Sequence, residues 1–198
     1  MHKLTNILSR TNLTKENQLH LLSHFSKIDN QYVKWLHEQY NIEQKEVAHF
    51  LSISGSKFHY DFVKNPNELF NFIRRNTGLI NIYTNNTDKL EFYIDVPEHE
   101  YPEGIGSNAL ISLKNLSGFE KSKVISTDRG RQKVLSIKRP KKPTWRINTI
   151  IVFDEKKEPR LQSIFPGTYA PPLPDEDFFT KEQNSQYSEF WNKHVIVL

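Results

Sequence analysis

Cysteine is absent from the 198-residue chain, and the single Met stands at position 1. Without thiols there is no disulfide framework, zinc–thiolate centre, iron–sulfur cluster or cysteine nucleophile, so hydroxyl, imidazole, carboxylate and cationic groups remain for any chemistry. Glycine is scarce, at 7 residues. Gly104-x-Gly106 is followed by neither a third glycine nor a convincing helix, so a glycine-rich phosphate loop is missing and nucleotide-driven chemistry is not expected. No stretch approaches the roughly 18 apolar residues of a membrane span, and Met1-His2-Lys3-Leu4-Thr5-Asn6 has no apolar core followed by small residues. The expectation is a cytoplasmic protein with no membrane partner.

The apolar share, 36% without glycine, is modest, but 13 Phe, 8 Tyr and 3 Trp can build a core, so wholesale disorder is not expected. At roughly 150 residues per domain, the length allows one domain or two small ones. The net charge of +4 is unevenly spread. Residues 121–160 hold 13 Lys/Arg against 4 acids, and the rest of the chain sums to −5. One positive block suits a polyanionic partner.

Leu19, Leu22, Phe25, Ile28, Tyr32, Trp35 and Leu36 recur at steps of three and four. That spacing predicts one long helix from Lys15 to about Tyr40, or two joined near Asp29-Asn30. A further helix is predicted over about Glu43–Leu51. Asn65-Pro66-Asn67-Glu68 reads as an N-cap, a first-turn proline and a capping-box acid opening another helix, which Asn76-Thr77-Gly78 closes. The period then changes, and residues 79–83 and 90–96 flank a turn-rich segment, as in a β-hairpin. Pro97, Pro102, Gly104 and Gly106 mark either a domain boundary near 97–106 or an internal loop. Two more hairpins, turning at Asp128-Arg129-Gly130-Arg131 and at residues 154–158, imply an antiparallel sheet of at least four strands. A Pro-rich arm, a helix over Thr180–Asn192 and a closing strand from His194 follow. The expected fold class is α+β: a mainly helical region 1–100 with a hairpin, then a basic antiparallel-sheet domain 101–198 of four to five strands with packed helices.

Ten Lys/Arg fall between Lys121 and Arg146, with Trp145 among them. Guanidinium groups grip phosphate in bidentate geometry, and an indole face can stack an unpaired base. RNA cleavage without metal needs a base for the 2′-hydroxyl, an acid for the leaving 5′-oxygen and a cation for the phosphorane, and imidazole titrates in the right range for either proton transfer. His194, opening the last strand in the basic half, is the candidate. Thr127, Thr149, Ser163 and Tyr169 supply hydroxyls that could hold a scissile phosphate. His20 and His24 stand four apart on a helix but lack an intervening Glu and a third ligand, so no metal site is expected there. His37, His49, His59 and His99 are scattered. The acids of Asp175-Glu176-Asp177 and Asp154-Glu155 lie in an arm and a turn, and no two-metal centre or cofactor is expected.

The order Asn108-Ala109-Leu110-Ile111-Ser112-Leu113, a basic hairpin around Arg129, Asn148-Thr149-Ile150-Ile151-Val152-Phe153-Asp154-Glu155, Ser163-Ile164-Phe165-Pro166-Gly167, a Pro-rich arm and Glu189-Phe190-Trp191-Asn192-Lys193-His194 resembles the C-terminal ribonuclease domains of bacterial polymorphic and contact-dependent growth-inhibition toxins. These form a barnase-, EndoU-, colicin- and RelE-like group, and the likeness covers about residues 104–198. It implies helices packed on an antiparallel sheet and metal-independent cleavage of RNA, often tRNA. It also implies active-site roles for Arg129, Arg131, Lys133, Thr149, Ser163, Tyr169 and His194. Toxins of this kind usually end a long carrier, whereas here about 100 residues of helix and hairpin precede the likeness. The form is similar to a toxin of a toxin–antitoxin or phage-defence locus, which implies a cognate antitoxin or immunity protein as partner.

The expectation is a metal-independent endoribonuclease toxin cutting tRNA or other structured RNA. His194 would be the acid or base, Arg129 and Lys133 would stabilise the phosphorane, and Thr149, Ser163 and Tyr169 would orient the phosphate. Arg131, Lys138, Arg139, Lys141, Lys142, Trp145 and Arg146 would bind RNA. The alternatives are a non-catalytic nucleic-acid-binding regulator of a phage or mobile element, and an interaction protein whose basic face meets an acidic partner such as an antitoxin.

Overall fold

The computed structural model describes residues 2–129 and 132–198. In chain order the elements are α1 (His2–Arg10), α2 (Lys15–Leu22), α3 (Asn30–Tyr40), α4 (Gln44–Ser52), β1 (Lys57–Phe58), α5 (Pro66–Arg75), β2 (Ile80–Asn85), β3 (Lys89–Asp95), β4 (Gly106–Asn108), β5 (Leu110–Ser112), α6 (Gly118–Lys121), β6 (Ile125–Arg129), β7 (Gln132–Ile137), β8 (Lys142–Thr144), β9 (Arg146–Phe153), β10 (Pro159–Pro166), α7 (Lys181–Asn192) and β11 (His194–Val197). Seven helices and three sheets among the described residues make the protein α+β.

Local chemistry sets the helix ends. The Asp29 carboxylate accepts from the Tyr32 N–H at 2.7 Å, so it caps α3 and the apolar periodicity from Lys15 to Tyr40 resolves into two helices. Asn65 caps α5 by accepting from the Glu68 N–H at 3.0 Å, with Pro66 in the first turn. Glu68 reaches back one residue further than a capping box requires, accepting from the Lys64 N–H at 2.9 Å.

The chain forms two compact units and passes between them three times. Residues 1–107 and 143–167 make the first unit, 108–142 and 168–198 the second. This partition differs from the division near residue 100 that the Pro/Gly-rich stretch suggested. The hairpin of β9 and β10 also does not share a sheet with the hairpin of β6 and β7. Instead β9 pairs along its length with β3, giving the antiparallel order β10-β9-β3-β2 in the first unit. Period-two patterning identifies strands and hairpin partners, but not which distant strand completes a sheet.

Register explains the core of the first unit. Leu90, Phe92 and Ile94 of β3 face Ile151, Thr149 and Ile147 of β9, which face Leu161, Ile164 and Pro166 of β10. This inner face is buried with Leu8 of α1, Leu21 and Leu22 of α2, Leu36 of α3 and Leu69 and Ile73 of α5. Each fully buried side chain of this size contributes about 1.5–3 kcal/mol. The segment 97–106 is an internal loop of this unit. Gly104 adopts φ +78°, and a Cβ on Gly106 would lie 2.5 Å from the Lys57 carbonyl oxygen, so the second small sheet, β1-β4-β8, closes only over glycine.

In the second unit the order is β5-β11-β7-β6, with β11 antiparallel to β5 and parallel to β7. Leu110, Val134 and Ile196 form a buried cluster against which Ala170, Leu173, Phe190 and Trp191 pack. Ile111, Leu116, Ile137, Val195 and Val197 form another. Alternation along β7 and β11 assigns the two clusters to opposite faces. The Pro-rich arm runs without helix or strand from Thr168 to Thr180, held by the Trp191 indole N–H on the Pro172 carbonyl at 3.1 Å. Among the described residues no helix is long and apolar enough to cross a membrane.

Candidate nucleic-acid interface

The second unit holds most of the basic block. Lys121, Lys123, Arg129, Lys133, Lys138 and Lys142 are exposed, at the end of α6 and just past it, on the hairpin of β6 and β7, and after that hairpin. β6 is the edge strand of its sheet, and none of its residues is buried. Arg131 lies outside the described residues.

Not every cation of the block is equally open. Arg139 is half-buried and ion-paired with Glu120, whose carboxyl is held below its usual range by hydrogen bonds from Ser117 and by Arg139. Lys141 is half-buried, and burial lowers its ammonium pKa. Arg146 and Trp145 belong to the first unit. The Arg146 guanidinium makes two bonds to the Asp95 carboxylate, at 2.7 and 2.8 Å, and lies 4.1 Å from the centre of the Tyr93 ring. These bonds raise its pKa further. The Trp145 indole N–H donates to the Tyr101 carbonyl at 2.7 Å. Both side chains therefore have structural partners inside their own unit.

His194 is half-buried at the start of β11. Its ring stacks on Phe190 of α7, with centroids 3.9 Å apart and planes 13° from parallel. Nδ1 lies 2.8 Å from the Phe190 carbonyl oxygen. A carbonyl only accepts, so Nδ1 carries the proton, and Nε2 is the basic nitrogen of the neutral ring.

Strand register decides which cations share a face with this imidazole. Ile196 pairs with Ser136, and Ile125, Thr127 and Arg129 of β6 stand opposite Ser136, Val134 and Gln132 of β7. By alternation His194, Ile196, Val134, Ser136, Thr127 and Arg129 occupy one face. The Thr127 and Ser136 hydroxyls lie 2.6 Å apart on it. Thr127 and His194 are level across β7, so their Cα atoms are roughly 10 Å apart. Lys133 projects from the other face, as the register partner of Asp128. Tyr169, half-buried, precedes the Ala170 that packs on the His194 face.

The remaining two hydroxyls belong to the first unit. Thr149 is 1% exposed, between Phe92 and Ile164, and its Oγ1 is buried without a hydrogen-bond partner. Ser163 is 8% exposed and its Oγ lies 3.1 Å from His20 Nε2. Both are buried in the first unit, whereas His194 belongs to the second. Of the expected residues, His194, Arg129, Tyr169 and Lys133 belong to the second unit, where the register puts Arg129 on the face of His194 and Lys133 on the other.

Two features of the structure have little signature in the sequence. His20, weighed only as a metal ligand, meets a serine hydroxyl. Phe119, 71% exposed on α6, stands beside Lys123 in the basic unit. The available signal was Ser117-x-x-Glu120, a capping box that forms here in full and marks a one-turn helix. No protein-family model matches the chain, and no curated protein matches it.

Proposed function

We propose that the protein is a cytoplasmic, metal-independent endoribonuclease whose second unit holds RNA, with structured RNA such as tRNA as substrate. The observation that carries this reading is the His194 Nδ1 contact with the Phe190 carbonyl, which leaves Nε2 as a base within a cation-rich unit. Nε2 takes the proton of the 2′-hydroxyl, and the freed oxygen attacks phosphorus. The bond from phosphorus to the 5′-oxygen breaks, leaving a 2′,3′-cyclic phosphate and, with a proton from solvent, a 5′-hydroxyl. Arg129, on the His194 face, stabilises the phosphorane. Lys138 and Lys142 contribute to long-range attraction of the polyanion. The likeness to toxin domains supports a role as a toxin countered by an antitoxin or immunity protein.

The test is incubation of purified protein with total tRNA in EDTA, followed by analysis of fragment ends. Discrete fragments ending in 2′,3′-cyclic phosphate, lost in a folded His194→Ala variant that still binds RNA, are expected. Full cleavage by that variant removes His194 from the mechanism. A second reading, a non-catalytic RNA-binding regulator, is favoured by the position of Lys133 on the face away from His194. RNA that shifts on a native gel but stays intact would select it. RNA neither cut nor bound would leave the basic face to a protein partner.

A further inference from the structure

Phe119 is an unusual side chain to leave in water. Ser117 and Glu120 cap α6 reciprocally, with the Ser117 N–H donating to Glu120 at 2.9 Å and the Glu120 N–H donating to Ser117 Oγ at 3.2 Å. The turn is therefore set by its own sequence, and it presents the ring with 71% exposure. Neither apolar cluster of the second unit includes Phe119. The Lys123 ammonium sits over the ring, with Nζ 3.9 Å from its centre. Ile125, which begins the edge strand two residues later, is 50% exposed. Lys114 and Lys121 flank the same short segment and are exposed.

This combination has a definite chemical preference. A protein partner that covers an apolar ring gains by bringing apolar surface, but here three lysines accompany the ring within ten positions. An unpaired nucleotide offers both halves of the match, a flat base for the ring and a phosphate for the ammonium groups. Duplex RNA offers only the phosphate, because its base faces are already stacked.

We propose that Phe119, backed by Lys123, is a stacking platform for an unpaired base, so that the protein selects single-stranded or looped RNA over duplex. The proposal rests on the reading of the second unit as an RNA-binding surface, and it assigns the stacking role to Phe119 in place of Trp145.

Fluorescence anisotropy with a short unstructured 2′-O-methyl RNA, which binds but lacks the attacking hydroxyl, tests it against a blunt duplex of the same sequence. Phe119→Ala should weaken single-strand binding about tenfold with little change in duplex affinity or salt dependence. Lys123→Ala should instead reduce the salt slope by about 0.7. Phe119→Trp should keep the affinity, and its added indole emission should be quenched by the single strand. An exposed ring leaves the fold intact when replaced, which circular dichroism checks. Wild-type-like single-strand binding by Phe119→Ala, or equal weakening of single strand and duplex, overturns the stacking role while RNA binding itself stands. Failure of the wild-type protein to bind either RNA overturns both the platform and the proposed function.

Discussion

Nε2 of His20 lies 3.1 Å from Oγ of Ser163, joining α2 to β10 across 143 positions of sequence. Two more contacts keep step with it. Asn17 Nδ2 donates to the Leu161 carbonyl at 2.7 Å, and the His24 ring sits 5.8 Å from that of Phe165. Asn17, His20 and His24 are spaced three and four apart, so one face of the α2 region follows β10, a sheet-edge strand that would otherwise offer its backbone groups for aggregation.

That arrangement makes the fold acid-sensitive. Burial first, and then the neighbouring His20, push the His24 imidazole down to about 3, while burial lowers His20. Both rings are thus favoured as neutral in the folded state, whereas an unfolded chain binds protons below its ordinary value of 6.5. The stability they contribute is complete above pH 6.5 and is lost as pH falls from there toward 3. Urea unfolding at about pH 7.5 and about pH 5 should show a lower midpoint at the acid value. His24→Phe, which keeps an aromatic ring beside Phe165, should flatten the difference. An unchanged difference would place the acid sensitivity elsewhere.

Thr149→Val separates a structural threonine from a catalytic one. The hydroxyl is buried without a partner between Phe92 and Ile164, so exchanging it for a methyl removes an unpaired polar atom. Stability should stay level or rise by up to about 1 kcal/mol, read by thermal unfolding, with RNA cleavage unchanged. Lost cleavage in a stable variant would support the phosphate-orienting role that the sequence suggested.

The helix boundaries were legible because the signals are local. Asp29 and Asn65 cap helices within three residues of themselves, and the period change after Gly78 marks the first hairpin. The return of β9 to β3 was not legible, since Thr149 faces Phe92 across 57 positions and no local pattern records that choice. The site was legible in part. Lys and Arg counts located the basic unit, but composition cannot tell Arg146, held by Asp95, from Arg129, nor tell that Lys133 and His194 take opposite faces. Those distinctions arise from register, which a single residue of slip would reverse.

Arg146 offers a direct contrast with Arg129. Its pair with Asp95 is partly exposed, with side-chain accessibilities of 38% and 50%, so solvent screening keeps the coupling below about 1 kcal/mol in a double-mutant cycle. Because the guanidinium is already engaged, Arg146→Ala should leave the salt slope of RNA binding close to wild type. Arg129→Ala should lower it by about 0.7–0.9. A slope change in Arg146→Ala equal to that in Arg129→Ala would show that RNA displaces Asp95.

Arg129 and Lys133 stand on opposite faces of the sheet, because the β6–β7 register pairs Arg129 with Gln132 and Lys133 with Asp128. A cation that stabilises the phosphorane must share the face of His194, which Arg129 does and Lys133 does not. Arg129→Ala should therefore lower kcat for RNA cleavage about a hundredfold or more, as removal of a transition-state donor does elsewhere. Lys133→Ala should raise KM with kcat nearly unchanged, the mark of a residue that attracts the substrate in both ground and transition states. Single-turnover rates at saturating RNA, followed on denaturing gels, read the two effects separately. If Lys133→Ala depresses the saturated rate while Arg129→Ala leaves it intact, the reacting phosphate lies on the other face of the sheet, and His194 is not the base.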